Sequence, residues 1–154
     1  MIFEHEIPTG ANLYFGKVAK LKRKIEAIAS EVLDKDGFEE ILTSNFSFSQ
    51  HQSIENDREL INLNNEKNQS ITLRADSTLD VVRIINKRLG RSTTHKKWFY
   101  IQPVFKYPTS EIYQIGAEWI DNSNLEDILN SLLKIFDEFK REFDYKTPIL
   151  QIAN

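Results

Sequence analysis

The sequence predicts an α+β fold in which helices flank an antiparallel sheet. Residues 98–107 and 112–120 are rich in aromatic and branched side chains, and only four residues separate them, which is the spacing of an antiparallel hairpin. Apolar residues recur at helical spacing on both sides of this hairpin, over residues 14–33 and from residue 125 to about residue 143. Strands joined by a tight turn between helices indicate helices packed on an antiparallel sheet.

The first half of the chain is expected to supply one long helix and then short strands. A turn at residues 7–10 precedes the helix, and Gly37 ends it, because glycine tolerates the left-handed conformation common at a helix C-terminus. The side chains that should face the core are Phe15, Val18, Leu21, Ile25, Ile28 and Val32. Short strands are expected at residues 38–42, 60–63 and 71–74, the second inside a polar stretch.

Two further helices are expected in the second half. One begins at a capping residue, Asp76 or Ser77, and ends at Gly90. The other begins after Ser123 or Asn124. Its apolar stripe, which should be buried, consists of Leu125, Ile128, Leu129, Leu132, Phe136, Phe139 and Phe143. A last strand is expected over residues 148–152.

Composition narrows the classes of function. The 154 residues include no cysteine, which excludes disulfides and thiolate metal sites. No apolar run approaches the roughly 20 residues that a membrane span needs, and the first residues lack a signal-peptide core, so we expect a soluble cytoplasmic protein. The net charge of −3, without a basic stripe, argues against a nucleic-acid partner. The three histidines have no metal-site spacing, and we expect no metal.

Three segments carry a more specific signal. Residues 73–78 read Leu-Arg-Ala-Asp-Ser-Thr, residues 99–107 read Phe-Tyr-Ile-Gln-Pro-Val-Phe-Lys-Tyr, and residues 113–118 read Tyr-Gln-Ile-Gly-Ala-Glu. In this order they resemble the Leu-Arg-Pro-Glu-Gly-Thr segment, motif two and the Gln-x-Gly-x-Glu strand of histidyl-tRNA synthetases, which belong to the class II aminoacyl-tRNA synthetases. The first is most similar to the Leu-Arg-Pro-Asp-x-Thr of ATP phosphoribosyltransferase regulatory subunits, which are paralogues of those synthetases.

This resemblance covers nearly the whole chain and implies a class II synthetase-like domain over residues 1–154, equivalent to the N-terminal half of the usual catalytic core. It also implies a homodimer interface near residues 25–48. Motif two of the family ends in an arginine that grips ATP, whereas Lys106 stands here and offers a point charge instead of a planar fork. The following loop is cut to about four residues, and no motif three follows. We therefore expect no adenylation, no other enzyme activity and no cofactor.

The same resemblance implies a pocket for free histidine. Asp76, Thr78, Gln114 and Glu118 would converge there, with Asp76 facing the α-ammonium group, Thr78 and Gln114 beside it, and Glu118 accepting the imidazole N–H. Gln114, Gly116 and Glu118 alternate along one strand and therefore share a face. Gly116 is expected to leave room for the ligand.

Simpler roles stay open for the same residues. Asp76 can serve as a helix cap alone, since Asp is a preferred N-cap residue. Glu118 can pair with an arginine such as Arg74, and Lys106 can be a solvated or ion-paired strand residue.

The function that these expectations favour is that of a non-catalytic regulatory subunit of ATP phosphoribosyltransferase in histidine biosynthesis. It would assemble with the short-form catalytic subunit and sense histidine, so that inhibition is a coupling free energy between two sites. One alternative is a degenerate class II paralogue that binds tRNA or a protein, which a basic face would favour. Another is an amino-acid-ligating enzyme of the same fold, for which Arg83 and Arg91 would have to replace the family's ATP-binding arginines.

Overall fold

The computed structural model describes residues 6–52, 59–89, 93–144 and 146. Within these residues the elements follow one another in a fixed order. They are α1 (Gly16–Lys35), β1 (Glu39–Glu40), β2 (Phe46–Phe48), α2 (Ser49–Gln52), β3 (Asn62–Asn64), β4 (Ser70–Leu73), α3 (Ser77–Ile84), a π-helical turn (Ile85–Leu89), β5 (Lys97–Lys106), β6 (Ser110–Trp119) and α4 (Leu125–Phe143). The predicted Gly90 helix end, the strand at residues 148–152, His5 and Arg91 lie outside the described residues.

Two small sheets organise the strands. β5 and β6 pair antiparallel over ten residues each, from Lys97 opposite Trp119 to Lys106 opposite Ser110, which confirms the predicted hairpin. The short strand β1 pairs with β5 in parallel orientation. The second sheet has the order β2-β4-β3, with both pairs antiparallel. The predicted combination of helices and antiparallel sheets is therefore confirmed. The one parallel pair, β1 with β5, was not predicted, because a strand of two residues carries no pattern that indicates its direction.

Alternation along β5 gives the hairpin two faces with different coverings. On the first, Phe99 packs with Ala29 and Leu33 of α1 and with Ile135 of α4, and we call this the α1/α4 face. On the second, Trp98 and Tyr100 belong to a cluster with residues of α3 and the π-helical turn, and we call this the α3 face. The helical members of that cluster are Val81 and Ile85.

Helix α1 is confirmed as an element, but its predicted buried stripe is wrong in its first half. Phe15, Val18 and Leu21 are exposed, whereas Ala29 and Leu33 are buried near the other end. Helical spacing identifies the apolar side of a helix, but it does not say how far along the helix the neighbouring elements extend. The end itself follows the prediction, since Gly37 has φ +83° directly after the helix.

Helix α4 shows a similar difference. It begins after Asn124, whose Oδ1 accepts the backbone N–H of Glu126 at 3.1 Å, as one of the two predicted caps. The buried residues are Ser131 and Ile135, however, while Leu125, Ile128 and Leu132 of the predicted stripe are exposed. The helix carries apolar side chains on more than one row, and packing against α1 and Phe99 selects the row that contains Ile135.

The polar stretch after β1 contains two elements that the sequence did not predict, β2 and α2. In β2 the usual burial is inverted, because Ser47 is buried between the exposed Phe46 and Phe48. The Ser47 hydroxyl donates to Asp80 Oδ1 of α3 at 3.0 Å, which satisfies the buried oxygen. The inward-facing residue of β2 is therefore polar. A search for alternating apolar and polar residues, with the apolar ones facing inward, does not find such a strand.

Candidate functional site

The turn between β4 and α3 places Asp76 at the N-terminus of α3. Its Oδ1 accepts the backbone N–H of Leu79 at 3.0 Å, so the predicted capping role is confirmed. The buried Gln52 fixes this turn from the other side, because its Oε1 accepts the backbone N–H groups of Ala75 at 3.0 Å and of Asp76 at 2.9 Å. The Asp76 carboxylate makes no further hydrogen bond within the described ranges, which leaves one oxygen for a ligand.

Arg74 ties this turn to the rest of the molecule. Its side chain is fully buried, and its acceptors among the described residues are neutral oxygens of β5 and of the segment that follows β1. These are Pro103 O at 2.6 and 3.0 Å, Thr43 O at 3.1 Å, Thr43 Oγ1 at 3.0 Å, Ser44 O at 2.9 Å and Asn45 Oδ1 at 3.1 Å. Burial lowers the pKa of Arg74, and the Asp80 charge opposes this. The alternative in which Glu118 pairs with Arg74 is wrong, because the N–H groups of Arg74 donate to these neutral oxygens instead.

Thr78, Tyr100 and Glu118 form the polar cluster of the α3 face. Thr78 Oγ1 donates to Glu118 Oε1 at 2.9 Å and lies 3.0 Å from the Tyr100 hydroxyl. The Tyr100 hydroxyl lies 3.4 Å from the same Oε1 atom, within donating distance. Burial raises the pKa of Tyr100, the hydrogen bond with Thr78 lowers it, and the charges of Glu118 and Asp76 raise it further, so the net shift is upward. Tyr100 therefore keeps its proton at neutral pH and can donate it.

The space above Gly116 is filled by the protein itself. Gly116 is the cross-strand partner of Tyr100, and a Cβ atom at position 116 would lie 2.2 Å from Tyr100 Cζ and 2.3 Å from its hydroxyl oxygen. The expectation that Gly116 leaves room for a ligand is therefore wrong. The glycine is required because the aromatic ring crosses directly over its backbone, and a bound molecule has to lie beside the ring.

Gln114 is separated from this cluster. It lies on the same face as Glu118, as predicted, but Gly116 and the Tyr100 ring stand between them. Its cross-strand partner is the buried Gln102, whose Oε1 accepts the backbone N–H of Thr43 at 3.1 Å. Of the four predicted ligand residues, the structure joins Thr78 to Glu118 directly, places Asp76 two residues before Thr78, and leaves Gln114 further along β6.

Lys106 lies at the end of β5 and makes an ion pair. Its Nζ is 3.1 Å from Glu59 Oε2, with both side chains about half exposed, so the simpler role considered for Lys106 is confirmed. The turn after it spans only residues 107–109. The N-terminal turn packs against this tip, because Gly10 O accepts the backbone N–H of Glu111 at 3.1 Å. The region equivalent to a motif-two loop is thus short and exposed, and a backbone hydrogen bond ties its base to the N-terminal turn.

Comparison with known proteins identifies the family of this chain. The family model described as histidyl-tRNA synthetase matches residues 15–154. The chain belongs to the histidyl-tRNA synthetase family. The apo histidyl-tRNA synthetase of S. aureus superimposes with a TM-score of 0.77 at 26% identity, over 92% of this chain and 36% of that chain. The class II fold that the sequence resemblance implied is therefore confirmed.

Within this family the chain is similar to regulatory proteins over its full length. It is 56% identical over 154 residues to an ATP phosphoribosyltransferase regulatory subunit of Wolinella succinogenes and 46% identical over 154 residues to one of Helicobacter hepaticus. Both alignments include all of this chain, but 52% and 53% of the respective relatives. The chain thus spans about half the length of the curated relatives that it matches.

Neither metal-binding nor membrane-spanning features were found in the parts of the chain that the structure describes. Those parts hold no group of three or more His, Cys, Asp or Glu that could bind a metal ion. They also contain no helix with the length and apolar character of a membrane span. His95 instead contacts the Lys97 carbonyl through Nε2 at 2.6 Å and lies edge-on against Trp98.

Sequence reasoning missed Tyr100 and Gln102 as residues of the site. Both lie in the segment that resembles motif two, and they alternate with the residues that pack on the α1/α4 face. Gln102 stands where the family's usual motif has glycine, and this departure was a usable signal. Tyr100 depended on the exact register of the hairpin. The predicted turn at residues 108–111 would place Pro103 opposite Gly116, whereas the observed turn at residues 107–109 places Tyr100 there.

Proposed function

We propose that this chain acts as a non-catalytic regulatory subunit of ATP phosphoribosyltransferase in histidine biosynthesis, together with a short-form catalytic subunit. The observation that carries this proposal is the identity of 56% and 46% to two proteins of that name across all 154 residues. A cytoplasmic location and a homodimer through residues 25–48 belong to the same proposal. Assembly with the catalytic subunit would couple a ligand site on this chain to the active site on that subunit.

The absence of synthetase chemistry is supported by three local features. Lys106 replaces the motif-two arginine and is already paired with Glu59. The turn after Lys106 has only three residues, and its base is tied to the turn at Gly10 by a backbone hydrogen bond. The side chain of Gln102 fills space beside Thr43 where the family's motif has glycine. Each feature removes a donor or a volume that binding of ATP would need.

The proposed effector is free histidine at the N-terminus of α3. Glu118 would accept the imidazole N–H and Asp76 would face the α-ammonium group, each through a charge-assisted hydrogen bond. Gln114 would contact the ligand from further along β6. Because the Tyr100 ring covers Gly116, the imidazole is expected to lie beside this ring rather than over the glycine. Histidine bound here would shift the catalytic subunit only if it binds two states of the assembly with different affinity.

The test is reconstitution with the short-form catalytic subunit from the same organism. We expect the chain to co-elute with that subunit, to raise its phosphoribosyltransferase activity, and to make this activity sensitive to histidine. The chain alone should show no histidine-dependent exchange between ATP and pyrophosphate. A chain that neither associates with the catalytic subunit nor changes its rate would refute the proposal.

Two matched variants separate sensing from assembly. Glu118→Gln keeps the size of the side chain but removes the charge that would bind imidazole, and we expect it to abolish inhibition by histidine while association persists. Glu66→Gln, in the exposed turn between β3 and β4, makes the same chemical change away from the site. Equal histidine sensitivity in the two variants would place the histidine site elsewhere.

A further inference from the structure

The Tyr100 side chain lies at the centre of the polar contacts on the α3 face. It is 4% exposed, its ring crosses over Gly116, and its hydroxyl is within hydrogen-bond distance of both Thr78 and Glu118. A buried aromatic ring that fills a glycine gap needs no hydroxyl for that purpose, so phenylalanine would pack as well. The hydroxyl therefore calls for a separate explanation.

The hydrogen bonds of the cluster reach only one oxygen of Glu118. Thr78 Oγ1 at 2.9 Å and the Tyr100 hydroxyl at 3.4 Å both approach Oε1. Within the described residues, no hydrogen bond or ion pair reaches Oε2. Each hydroxyl has one proton to donate in a hydrogen bond. Tyr100 can donate its hydrogen bond to Oε1 directly or to the Thr78 oxygen, which in turn donates to Oε1. Either arrangement fixes one carboxylate oxygen and leaves the other available to accept a hydrogen bond from a ligand.

We propose that Tyr100, together with Thr78, is a positioning residue that orients Glu118 so that Oε2 accepts an N–H from the ring of a bound amino acid. This inference rests on the proposed function, because it assumes that the histidine site lies here. It adds the element that selects the ligand, since an aromatic ring without an N–H would leave the oriented Oε2 atom unpaired and poorly solvated. Ring recognition would thus depend on two hydroxyl groups that hold Glu118 rather than contact the ring of the ligand.

The decisive experiment compares histidine with thienyl-L-alanine, an amino acid whose five-membered ring has no N–H. Binding of each is measured by calorimetry to the full chain and to the Tyr100→Phe, Thr78→Val and Thr78→Ser variants. Tyr100→Phe should weaken histidine binding about tenfold, equivalent to the loss of one hydrogen bond to a charged group, and leave thienylalanine binding unchanged. Thr78→Val should act in the same direction, while Thr78→Ser keeps the hydroxyl and should restore histidine binding.

Tyr113→Phe is the matched control. Tyr113 lies on β6, but its ring stacks edge-on with Tyr14 beside α1, on the other side of the hairpin. Its loss of a hydroxyl should alter neither ligand's affinity.

The outcomes distinguish this inference from the proposed function. If Tyr100→Phe weakens both ligands equally, the hydroxyl only supports the fold of the site and the positioning role is wrong, although histidine sensing stands. If the unmodified chain and its complex with the catalytic subunit bind no histidine, the proposed function loses its effector and the positioning role falls with it. Selective loss of histidine in Tyr100→Phe and Thr78→Val, but not in Thr78→Ser, supports the inference.

Discussion

The two faces of the β5–β6 hairpin are held by different kinds of contact. On the α1/α4 face, Phe99 packs against Leu33 and Ile135 in a cluster whose buried side chains are all apolar. On the α3 face, a second apolar cluster around Val81 borders the buried Arg74 and Gln102 and the half-buried Thr78–Glu118 pair. The same strands therefore support a hydrophobic layer on one side and a directional hydrogen-bond network on the other.

This difference teaches where stability and specificity reside in the chain. Apolar packing is non-directional and tolerates changes of shape, whereas a buried polar network fixes each partner in one arrangement. The α1/α4 face is therefore expected to supply most of the unfolding free energy. The α3 face is expected to set the positions of groups that a ligand meets, and its substitutions should change geometry as much as stability.

The largest effect is expected from breaking the α1/α4 face with Phe99→Ala. This change leaves a cavity between α1 and α4, and we expect the free energy of unfolding to fall by about 3–5 kcal/mol. Urea unfolding followed by circular dichroism measures it. Phe15→Ala is the control, because Phe15 is 76% exposed and should change little. A loss of less than about 1 kcal/mol for Phe99→Ala would show that this layer is not the main source of stability.

A smaller but still large effect is expected on the other face from Arg74→Met. The substitution removes the hydrogen-bond donor of the carbonyl oxygens of Thr43, Ser44 and Pro103, and we expect a loss of about 2–3 kcal/mol. The same unfolding assay applies, with Arg141→Met on the surface of α4 as the control. Because the buried positive charge is also removed, a neutral result would mean that its desolvation offsets those hydrogen bonds.

The smallest effect is expected at the rim of the α1/α4 face, where Asp36 accepts hydrogen bonds from Ser131 and Lys134 of α4. Burial raises the pKa of Asp36, but the hydrogen bonds and the charges of Lys134 and Lys97 outweigh it and hold the pKa below its ordinary value of 3.8. Its contribution is therefore present above that value and is lost as pH falls through the lower native pKa.

Asp36→Asn should accordingly lower the unfolding free energy by about 0.5–1 kcal/mol at neutral pH, since Lys134 is largely exposed. The difference from the unmodified chain should vanish at acidic pH, where both side chains are neutral. Unfolding curves collected across this pH range check the prediction, with Asp34→Asn as an exposed control. A difference that persists in acid would assign the effect to packing rather than to charge.

Features that depend on local sequence were predicted well. The caps at Asp76 and Asn124, the end of α1 before Gly37 and the β5–β6 hairpin each follow from a few neighbouring residues. The direct contact of Thr78 with Glu118 agrees with a convergence that came from the resemblance to the synthetases rather than from spacing.

Features that depend on several distant segments were not predictable in this way. Arg74 finds its acceptors in two separate parts of the chain, about 30 residues away on either side, and its type alone suggested an ion pair with a carboxylate. The buried rows of α1 and α4 depend on which stretch of each helix meets the other. The filling of Gly116 depends on a rotamer of a residue in the facing strand, which no pattern within β6 contains.

The contact between Tyr100 and Gly116 also restricts the order in which this protein can change its sequence. A side chain at position 116 would collide with the Tyr100 ring. Replacement of Gly116 by a larger residue therefore first requires a smaller residue at position 100 or a different rotamer of Tyr100. If Tyr100 is replaced by a smaller residue first, a gap opens beside Glu118 until a side chain at position 116 fills it. A lineage that explores other ligands at this site must therefore accept an intermediate with a weakened site, and one viable route is the replacement of both residues in close succession.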